Sequence, residues 1–139
     1  MNNALFSSKE EVCETPQPFF AALDAIFNFT LDPCALPSNA KCAKYYTPED
    51  DGLAQDWGGE SVFCNPPYGR KIADWVRKCS EEAKKPNTTV VALLPARTDT
   101  RYFHDYIYKK AKDVAFVKGR LKFGGSKNSA PFPSMVVVF

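Results

Sequence analysis

The sequence predicts a single-domain α/β fold with a mostly parallel, doubly wound sheet. Short apolar runs alternate along the chain with longer segments whose apolar residues recur at helical spacing. The apolar run at residues 89–94 is nearly continuous, as in strands that are buried on both faces of a parallel sheet. A length of 139 residues suits one domain, so we expect residues 1–139 to form one unit without a separate recognition domain.

The first predicted element is a helix over residues 16–28. Thr15 is a suitable N-cap, and Pro16 suits the first helical position, where a backbone N–H is not needed. The apolar side chains that recur at helical spacing are Phe19, Phe20, Leu23, Ile26 and Phe27.

Two apolar runs then predict strands that end at polar residues. Residues 29–31 form a short strand that ends at Asp32, because the proline after it lacks a backbone donor and restricts the residue before it. Ser61–Cys64 form a second buried strand, which ends at Asn65 and the two prolines that follow. Each strand therefore carries a polar side chain at its carboxyl end.

The remaining elements continue the alternation. Their predicted order is a short helix capped by Ser38-Asn39 and running through Lys44, a loop over 47–60, a helix over 70–84, a strand over 89–94, a helix over 99–111, a strand over 114–117 and a terminal strand over 135–139. The inward residues of the 70–84 helix are expected to be Ile72, Ala73, Trp75, Val76, Cys79 and Ala83. We expect a right-handed crossover between the parallel strands and an antiparallel terminal strand at the edge of the sheet.

Composition indicates a folded protein without a membrane segment. Hydrophobic residues make up 45% of the chain and aromatic residues 14%, with no low-complexity tract. No apolar run approaches the roughly 20 residues that a membrane-spanning helix needs, and the acidic N-terminus lacks the layout of a signal peptide. We therefore expect a cytoplasmic protein that does not bind a membrane.

The five cysteines do not follow a metal-binding pattern. Their spacings are irregular, no Cys-x-x-Cys pair occurs, and His104 is the single histidine of the sequence. We expect no metal site and reduced, mostly buried thiols.

The charged residues are divided unevenly along the chain. Residues 1–64 carry 3 Lys/Arg against 10 Asp/Glu, whereas residues 65–139 carry 15 against 6. Basic residues that share a face would give a polyanion such as DNA a binding surface, and ordinary solvated helix faces are the alternative interpretation.

Two polar segments are expected to meet at one edge of the sheet. Ligands of such folds bind outside the carboxyl ends of the central strands, where both Asp32 and the run Asn65-Pro66-Pro67-Tyr68 emerge. A Pro-Pro pair is expected about once in 400 positions, so its occurrence between Asn and Tyr directly after a buried strand is improbable by chance. This run is the strongest functional signal of the sequence.

The run offers what a reaction at an exocyclic amino group requires. The Asn65 side-chain oxygen and the Pro66 carbonyl, held by two fixed φ angles, could each accept an N–H and favour a pyramidal nitrogen. Tyr68 offers an aromatic face on which a flipped base could stack. The alternative interpretation is a proline-rich turn in which Tyr68 is a core aromatic residue.

Several blocks of the chain, in order, resemble the phage-type DNA N6-adenine methyltransferase family. They are Thr15-Pro16, the segment from Leu31 to Ala35, Asn39-Ala40, the segment from Asp51 to Leu53, the Asn-Pro-Pro-Tyr-Gly run through Gly69, the segment from Leu94 to Thr100 and the segment from Gly119 to Phe123. The resemblance implies a Rossmann-like methyltransferase fold, S-adenosylmethionine as cofactor and DNA as substrate, with methyl transfer to adenine N6.

The resemblance also implies which residues contact the cofactor. Thr15 and Pro16 would lie near the methionine part, Asp32 and the backbone after it near the amino group or ribose, and Asp51 near the adenosine. The full set is Thr15, Pro16, Asp32, Pro33, Cys34 and Asp51. For Asp32 a turn carboxylate is the alternative, and for Asp51 a solvated surface turn.

The sequence also suggests where DNA could bind and leaves several functions open. Arg120 and Lys122 alternate with Leu121 and Phe123, which predicts a half-buried strand whose basic face could contact phosphate or remain solvated. The same chemistry on cytosine N4, an RNA base or a protein glutamine is an alternative, as is an inactive nucleic-acid-binding module. The oligomeric state stays open.

Overall fold

Six strands form one sheet in the computed structural model, which describes residues 14–124 and 129–139. The elements in chain order are helix α1 (Gln17–Phe27), strand β1 (Leu31–Asp32), strand β2 (Lys44–Tyr45), a 3-10 turn (Gly52–Ala54), strand β3 (Ser61–Cys64), helix α2 (Ile72–Glu82), strand β4 (Thr89–Pro95), a π-helical turn (Phe103–Ile107), strand β5 (Asp113–Phe116) and strand β6 (Ser134–Val138). The mixed α/β class and the strands at 61–64 and 89–94 are confirmed.

The sheet is mostly parallel, with the order β2-β1-β3-β4-β6-β5. Strands β2, β1, β3 and β4 are parallel to their neighbours, whereas β6 is antiparallel to both β4 and β5. The antiparallel direction of the terminal strand is therefore confirmed, but its predicted place at the edge is wrong. β6 pairs with β4 on one side and β5 on the other, and four of its five residues are buried, whereas the mostly exposed β5 forms the edge.

The two faces of the sheet are covered by different elements. Alternate residues of the strands point to opposite faces, so Val62, Val90 and Leu94 pack with α2 on one face. Phe63 and Val91 belong to a second cluster on the other face, which includes Phe20 and other apolar residues of α1. This arrangement leaves the carboxyl ends of the parallel strands as the open edge on which a site can form.

Three predictions about the first half of the chain are wrong in detail. Thr15 is not an N-cap, because the helix begins one residue later and Pro16 occupies the cap position without a side-chain hydrogen bond. The strand predicted at 29–31 is shifted to Leu31–Asp32. The helix predicted from Ser38 through Lys44 is absent.

Main-chain hydrogen bonds explain why the segment after Ser38 is not helical. The Asn39 Oδ1 accepts the Leu36 N–H at 2.8 Å and closes a turn, and the Lys41 N–H donates to the Asp32 carboxylate. Strand β2 then pairs with β1, and the Tyr46 N–H donates to the Asp32 carbonyl. The bonds to Asp32 satisfy the backbone with a partner distant in sequence, which helical periodicity cannot reveal.

Three further predictions concern the second half. Helix α2 is shorter than 70–84, and Ala73 is exposed rather than inward. The helix predicted over 99–111 is reduced to a short segment, because the Tyr108 N–H bonds to the Phe103 carbonyl and Lys109 has a positive φ of 62°. The segment with Arg120 and Lys122 is not a strand, although their exposure alternates with the burial of its apolar residues as predicted.

Candidate active site

A cavity of about 290 Å³ opens at the carboxyl ends of β1, β2 and β3. Its volume lies near the lower end of the range for small-molecule sites, about 300–1,000 Å³. The predicted site residues that line it are Thr15, Asp32, Pro33, Cys34, Asp51, Asn65 and Pro67. The structure therefore brings the predicted cofactor segment and the start of the Asn-Pro-Pro-Tyr run into one cavity.

Asp32 ends β1 and is fixed by backbone donors. Its Oδ2 accepts the Lys41 N–H at 2.9 Å, its Oδ1 accepts the Cys34 N–H at 3.3 Å, and its side chain is 4% exposed. Burial raises the pKa of Asp32 to about 6, although the two N–H donors and Lys41 act in the opposite direction. At neutral pH the cavity therefore contains a desolvated carboxylate, which a cation would stabilise.

Cys34 contributes a neutral thiol to the same wall. Burial, together with the nearby Asp32 carboxylate and Cys79, raises the pKa of Cys34 to about 12. A thiol with this pKa is protonated at neutral pH and is therefore a poor nucleophile. Cys34 therefore contributes to the cavity by filling space in its wall and by donating its backbone N–H to Asp32.

The Asp51-Gly52 turn also lines the cavity and packs against Pro33. Asp51 has a left-handed backbone with a φ of 57° and an exposed side chain that reaches the cavity lining. Gly52 packs so closely on β1 that an added Cβ would lie 2.1 Å from the Pro33 carbonyl oxygen. The Gly52 carbonyl accepts the Trp57 Nε1–H at 3.0 Å, and this buried hydrogen bond holds the turn in place.

Asn65 lies where β3 ends, at the boundary of the cavity. Its Nδ2 donates a hydrogen bond to the Thr15 Oγ1 at 2.9 Å, across 50 residues of sequence. The hydroxyl that would have capped the first helix is therefore used as an acceptor for the Asn65 amide. Thr15 is buried, and both residues line the cavity.

Of the next three residues of the run, Pro67 alone belongs to the cavity lining. Pro66 is buried and outside the lining, whereas Pro67 is half-buried and within it. The Tyr68 hydroxyl donates to the Leu93 carbonyl at 2.9 Å, and its ring contacts two phenylalanines edge to face. This is the packing that the alternative interpretation expected of Tyr68, and its role in base stacking stays a prediction.

The structure separates the basic residues into two groups that the sequence could not distinguish. Lys112 precedes β5 and its N–H bonds to the Val138 carbonyl, which places it at the amino edge of the parallel strands. Arg120 instead donates to the Ala130 carbonyl at 3.4 Å, in a segment that follows the carboxyl end of β5. Arg97 follows the carboxyl end of β4 and lies 5.7 Å from the centre of the Phe132 ring.

The carboxyl-edge basic residues lie beside the Asn-Pro-Pro-Tyr run. Phe132, which Arg97 covers, has its ring centroid 5.4 Å from that of Tyr68. Phe123, one residue after the exposed Lys122, lies 6.2 Å from Tyr68. Neither Arg120 nor Lys122 lines the cavity, so their side chains lie outside it.

Sequence analysis missed several residues of the cavity. Tyr46 and Thr47 follow β2, and their place at the carboxyl edge could have been found only if that two-residue strand had been recognised. The apolar floor is formed by Leu53, Phe63 and Trp75, of which the last lies on the inward face predicted for α2. Aromatic and aliphatic side chains thus share the cavity lining with the carboxylates.

Two absences apply only to the described part of the chain. Within residues 14–124 and 129–139, no group of three or more His, Cys, Asp or Glu side chains could hold a metal ion. In the same ranges, no helix has the length and apolar character needed to cross a membrane.

Comparison with known proteins identifies relatives over nearly the whole chain. A family model described as DNA N-6-adenine-methyltransferase (Dam) matches residues 3–138. The DNA N-6-adenine-methyltransferase of Haemophilus phage HP1 (strain HP1c1) is 31% identical over 140 residues, covering 95% of this chain and 80% of that protein. The protein of the same name from Escherichia phage T1 is 33% identical over 113 residues, covering 80% of this chain and 46% of that protein.

A bacterial relative covers a shorter part of the chain. The putative methyltransferase YfdM of Escherichia coli (strain K12) is 43% identical over 61 residues, which is 39% of this chain and 67% of that protein.

Proposed function

Because this chain belongs to the DNA N-6-adenine-methyltransferase family, we propose that its cavity binds S-adenosylmethionine and that Asn65 holds the adenine amino group that receives the methyl. The fold is then a Rossmann-like methyltransferase fold, in which the cofactor lies outside the carboxyl ends of the parallel strands. The observation that carries the proposal is the presence of Asp32, Asp51 and Asn65 in one cavity.

The chemistry of the cavity fits this cofactor. S-adenosylmethionine supplies a methyl group activated by a positively charged sulfur, and it also carries an ammonium group, a ribose and an adenine. The buried Asp32 carboxylate suits a cation or ribose hydroxyls, and the exposed Asp51 suits the polar part of the adenosine. The floor of Leu53, Phe63 and Trp75 suits an aromatic base.

The first two residues of the run, Asn65 and Pro66, are assigned as hydrogen-bond acceptors for the target amino group. The side-chain oxygen of Asn65 and the carbonyl oxygen of Pro66 each accept an N–H of the target amino group. Both acceptors stabilise a pyramidal nitrogen, whose lone pair is then available for bond formation. Pro66 and Pro67 fix the backbone at this point, and the Tyr68 hydrogen bond to Leu93 holds the run against β4.

DNA is proposed to bind at the carboxyl edge beside the run. Arg97, Arg120 and Lys122 are exposed there, so phosphates on either side of a flipped adenine could be neutralised without contact with the cavity. DNA as acceptor and the phage origin of two relatives also favour the cytoplasm of the host cell as the place of action.

Replacing Arg120 and Lys122 together by glutamine is expected to weaken DNA binding at every sequence tested. If each makes one phosphate contact, the slope of log affinity against log salt should fall in magnitude by about 2. The matched control is Lys109→Gln with Lys110→Gln, because these exposed lysines precede β5 at the opposite edge. Fluorescence anisotropy with a labelled duplex measures both pairs, and equal effects in the two would refute the proposed surface.

Affinity for S-adenosylmethionine is expected to fall as the pH is lowered through about 6. The raised pKa of Asp32 means that the folded protein takes up a proton there, and a protonated carboxyl no longer attracts a cation. Well below pH 6 the association constant should fall about tenfold per pH unit. Isothermal titration calorimetry measures this, and Asp32→Asn should bind more weakly with little dependence on pH between about 5 and 7.

The raised pKa of Asp32 also makes the stability of the folded protein depend on pH. Since the pKa of Asp32 is higher in the folded than in the unfolded protein, ionisation of this group lowers the free energy of unfolding as the pH rises from about 4 to 6. A bound cation at Asp32 should reverse part of this effect. The cofactor should therefore stabilise the protein more at pH 7 than at pH 5.

The proposed function is tested directly by product analysis. The purified protein is incubated with methyl-labelled S-adenosylmethionine and unmethylated DNA, and the DNA is digested to nucleosides. Labelled N6-methyl-deoxyadenosine is the expected product. Label on cytosine, on RNA or on protein offered as alternative acceptors, with none on adenine, would overturn the proposal.

A further inference from the structure

The hydrogen bond between Thr15 and Asn65 joins the entrance of α1 to the end of β3. Thr15 is 4% exposed, and its hydroxyl oxygen accepts the Asn65 Nδ2–H at 2.9 Å. The backbone beside Thr15 is held separately, because the Glu14 carbonyl accepts the Gly124 N–H at 2.8 Å. The Thr15 side chain is therefore held next to the Asn65 amide, whose Nδ2–H it accepts in this structure.

In the structure the contact directs the Nδ2 end of the Asn65 amide at Thr15. An asparagine amide has two ends of nearly equal size, so steric fit alone does not choose between them. With Nδ2 directed at Thr15, the carbonyl oxygen lies at the other end of the amide. In the reverse orientation the NH2 group would face the target amino group, and two donors would meet.

The hydrogen bond also affects the strength of the acceptor. Donation from Nδ2 polarises the amide and increases the negative charge on its carbonyl oxygen, as in a chain of hydrogen bonds. The oxygen then accepts the N–H of the target nitrogen more strongly as positive charge develops on that nitrogen. Thr15 can exert this effect without contact with either substrate.

From this geometry we propose that Thr15 is a positioning residue for methyl transfer, which orients and polarises the Asn65 amide. The proposal rests on the proposed function, because it requires Asn65 to accept the adenine amino group. It assigns Thr15 a task beyond the cofactor contact that the sequence resemblance implies. The two tasks differ in the step that they affect, so they can be separated by experiment.

The first test compares Thr15→Val with Thr15→Ser. Valine has nearly the shape of threonine but cannot accept a hydrogen bond, whereas serine keeps the hydroxyl without the methyl. At saturating cofactor and DNA, the single-turnover rate constant of Thr15→Val should fall about 10- to 100-fold. Thr15→Ser should restore the rate constant to within about threefold of the unmodified chain, and because cofactor is saturating, the loss in Thr15→Val should not depend on any change in its cofactor Kd.

A second measurement does not depend on turnover. The side-chain NH2 signals of Asn65 are identified in a ¹⁵N–¹H spectrum by their loss in Asn65→Ala. The hydrogen-bonded proton should move toward the position of a solvent-exposed asparagine in Thr15→Val and stay in place in Thr15→Ser. Thermal unfolding of each variant shows that it is folded at the temperature of the experiment.

The outcomes separate this inference from the proposed function. Methylation of DNA by the unmodified chain supports the function whatever the Thr15 variants do. A Thr15→Val variant with an unchanged rate constant, or with only a weakened cofactor Kd, would overturn the positioning role. Unchanged Asn65 signals in Thr15→Val would overturn it as well, even if no acceptor were methylated.

Discussion

Replacing Asn65 by alanine is expected to lower the rate constant for methyl transfer to adenine on the order of a thousandfold, with little change in cofactor affinity. The substitution removes the side-chain oxygen proposed to accept the amino N–H, and the Pro66 carbonyl alone remains. Asp32 and Asp51, proposed to bind the cofactor, lie on other elements and keep their positions. A loss that appears in the rate constant and not in the Kd identifies an interaction made in the transition state.

The measurement is single-turnover methylation at saturating cofactor and DNA, with the cofactor Kd from calorimetry. The matched control is Asn87→Gly, at an exposed asparagine that precedes β4 at the opposite edge, where glycine tolerates the φ of 55°. This control should methylate DNA at the unmodified rate. If Asn65→Ala retained turnover within about tenfold, or if it lost cofactor binding instead, Asn65 would not be the amino-group acceptor.

The parts of the site that could be predicted are those that local sequence determines. Ser61–Cys64 is an apolar run with a proline pair after its end, so both the strand and the position of Asn65 follow from neighbouring residues. Asp32 was placed at the same edge because parallel strands share the direction of their carboxyl ends. The structure confirms that the two segments line one cavity.

Other parts depend on contacts between residues distant in sequence. The two residues of β2 have no apolar pattern, and their strand is defined by pairing with β1 and by the hydrogen bond from Tyr46 to Asp32. The position of Thr15 before a proline predicts a helix N-cap. Its hydrogen-bond partner in the structure is instead Asn65, 50 residues away. Position along the chain also could not show that Lys112 and Arg120 lie at opposite edges of the sheet.

For Tyr68 the structure supports the alternative interpretation, that of a core aromatic residue. The sequence indicates an aromatic side chain next to the acceptor residues, and the structure places it in the cluster with Phe123 and Phe132. Its hydroxyl fixes the run to β4 through Leu93, which supports the acceptor geometry without contact with a base. The run is therefore held in place by the same residue that was predicted to bind the substrate.

Gly52→Ala is expected to weaken cofactor binding at least about tenfold, since the turn that carries Asp51 can no longer dock on β1. The added Cβ would lie 2.1 Å from the Pro33 carbonyl oxygen and 3.1 Å from the Trp75 ring. The first of these atoms belongs to the backbone and cannot rotate away, so the turn itself must move. Overpacking of this kind costs about 1–3 kcal/mol of stability, which lowers the Tm of a domain of this size by several degrees.

The displacement should affect one wall of the cavity more than the rest of the fold. Asp51 and Leu53 flank Gly52 and line the cavity, whereas Asn65 is positioned by a different element, the end of β3. With cofactor at saturation, the Gly52→Ala rate constant should therefore approach that of the unmodified chain, in contrast to Asn65→Ala. A variant that binds cofactor normally would show that the turn does not contribute to the site.

Gly58→Ala is the matched control for this prediction, because it makes the same change in the same connection between β2 and β3. The atoms nearest to its added Cβ belong to the exposed, flexible side chains of Asp56 and Lys85, at 3.0 and 3.4 Å, and these can move. Cofactor affinity, measured by calorimetry at least about 15 °C below the Tm of each variant, should stay unchanged for Gly58→Ala and fall for Gly52→Ala. Since both variants lose one glycine, a difference between them must come from the contact of the 51–53 turn with Pro33, and not from the altered flexibility of the unfolded chain.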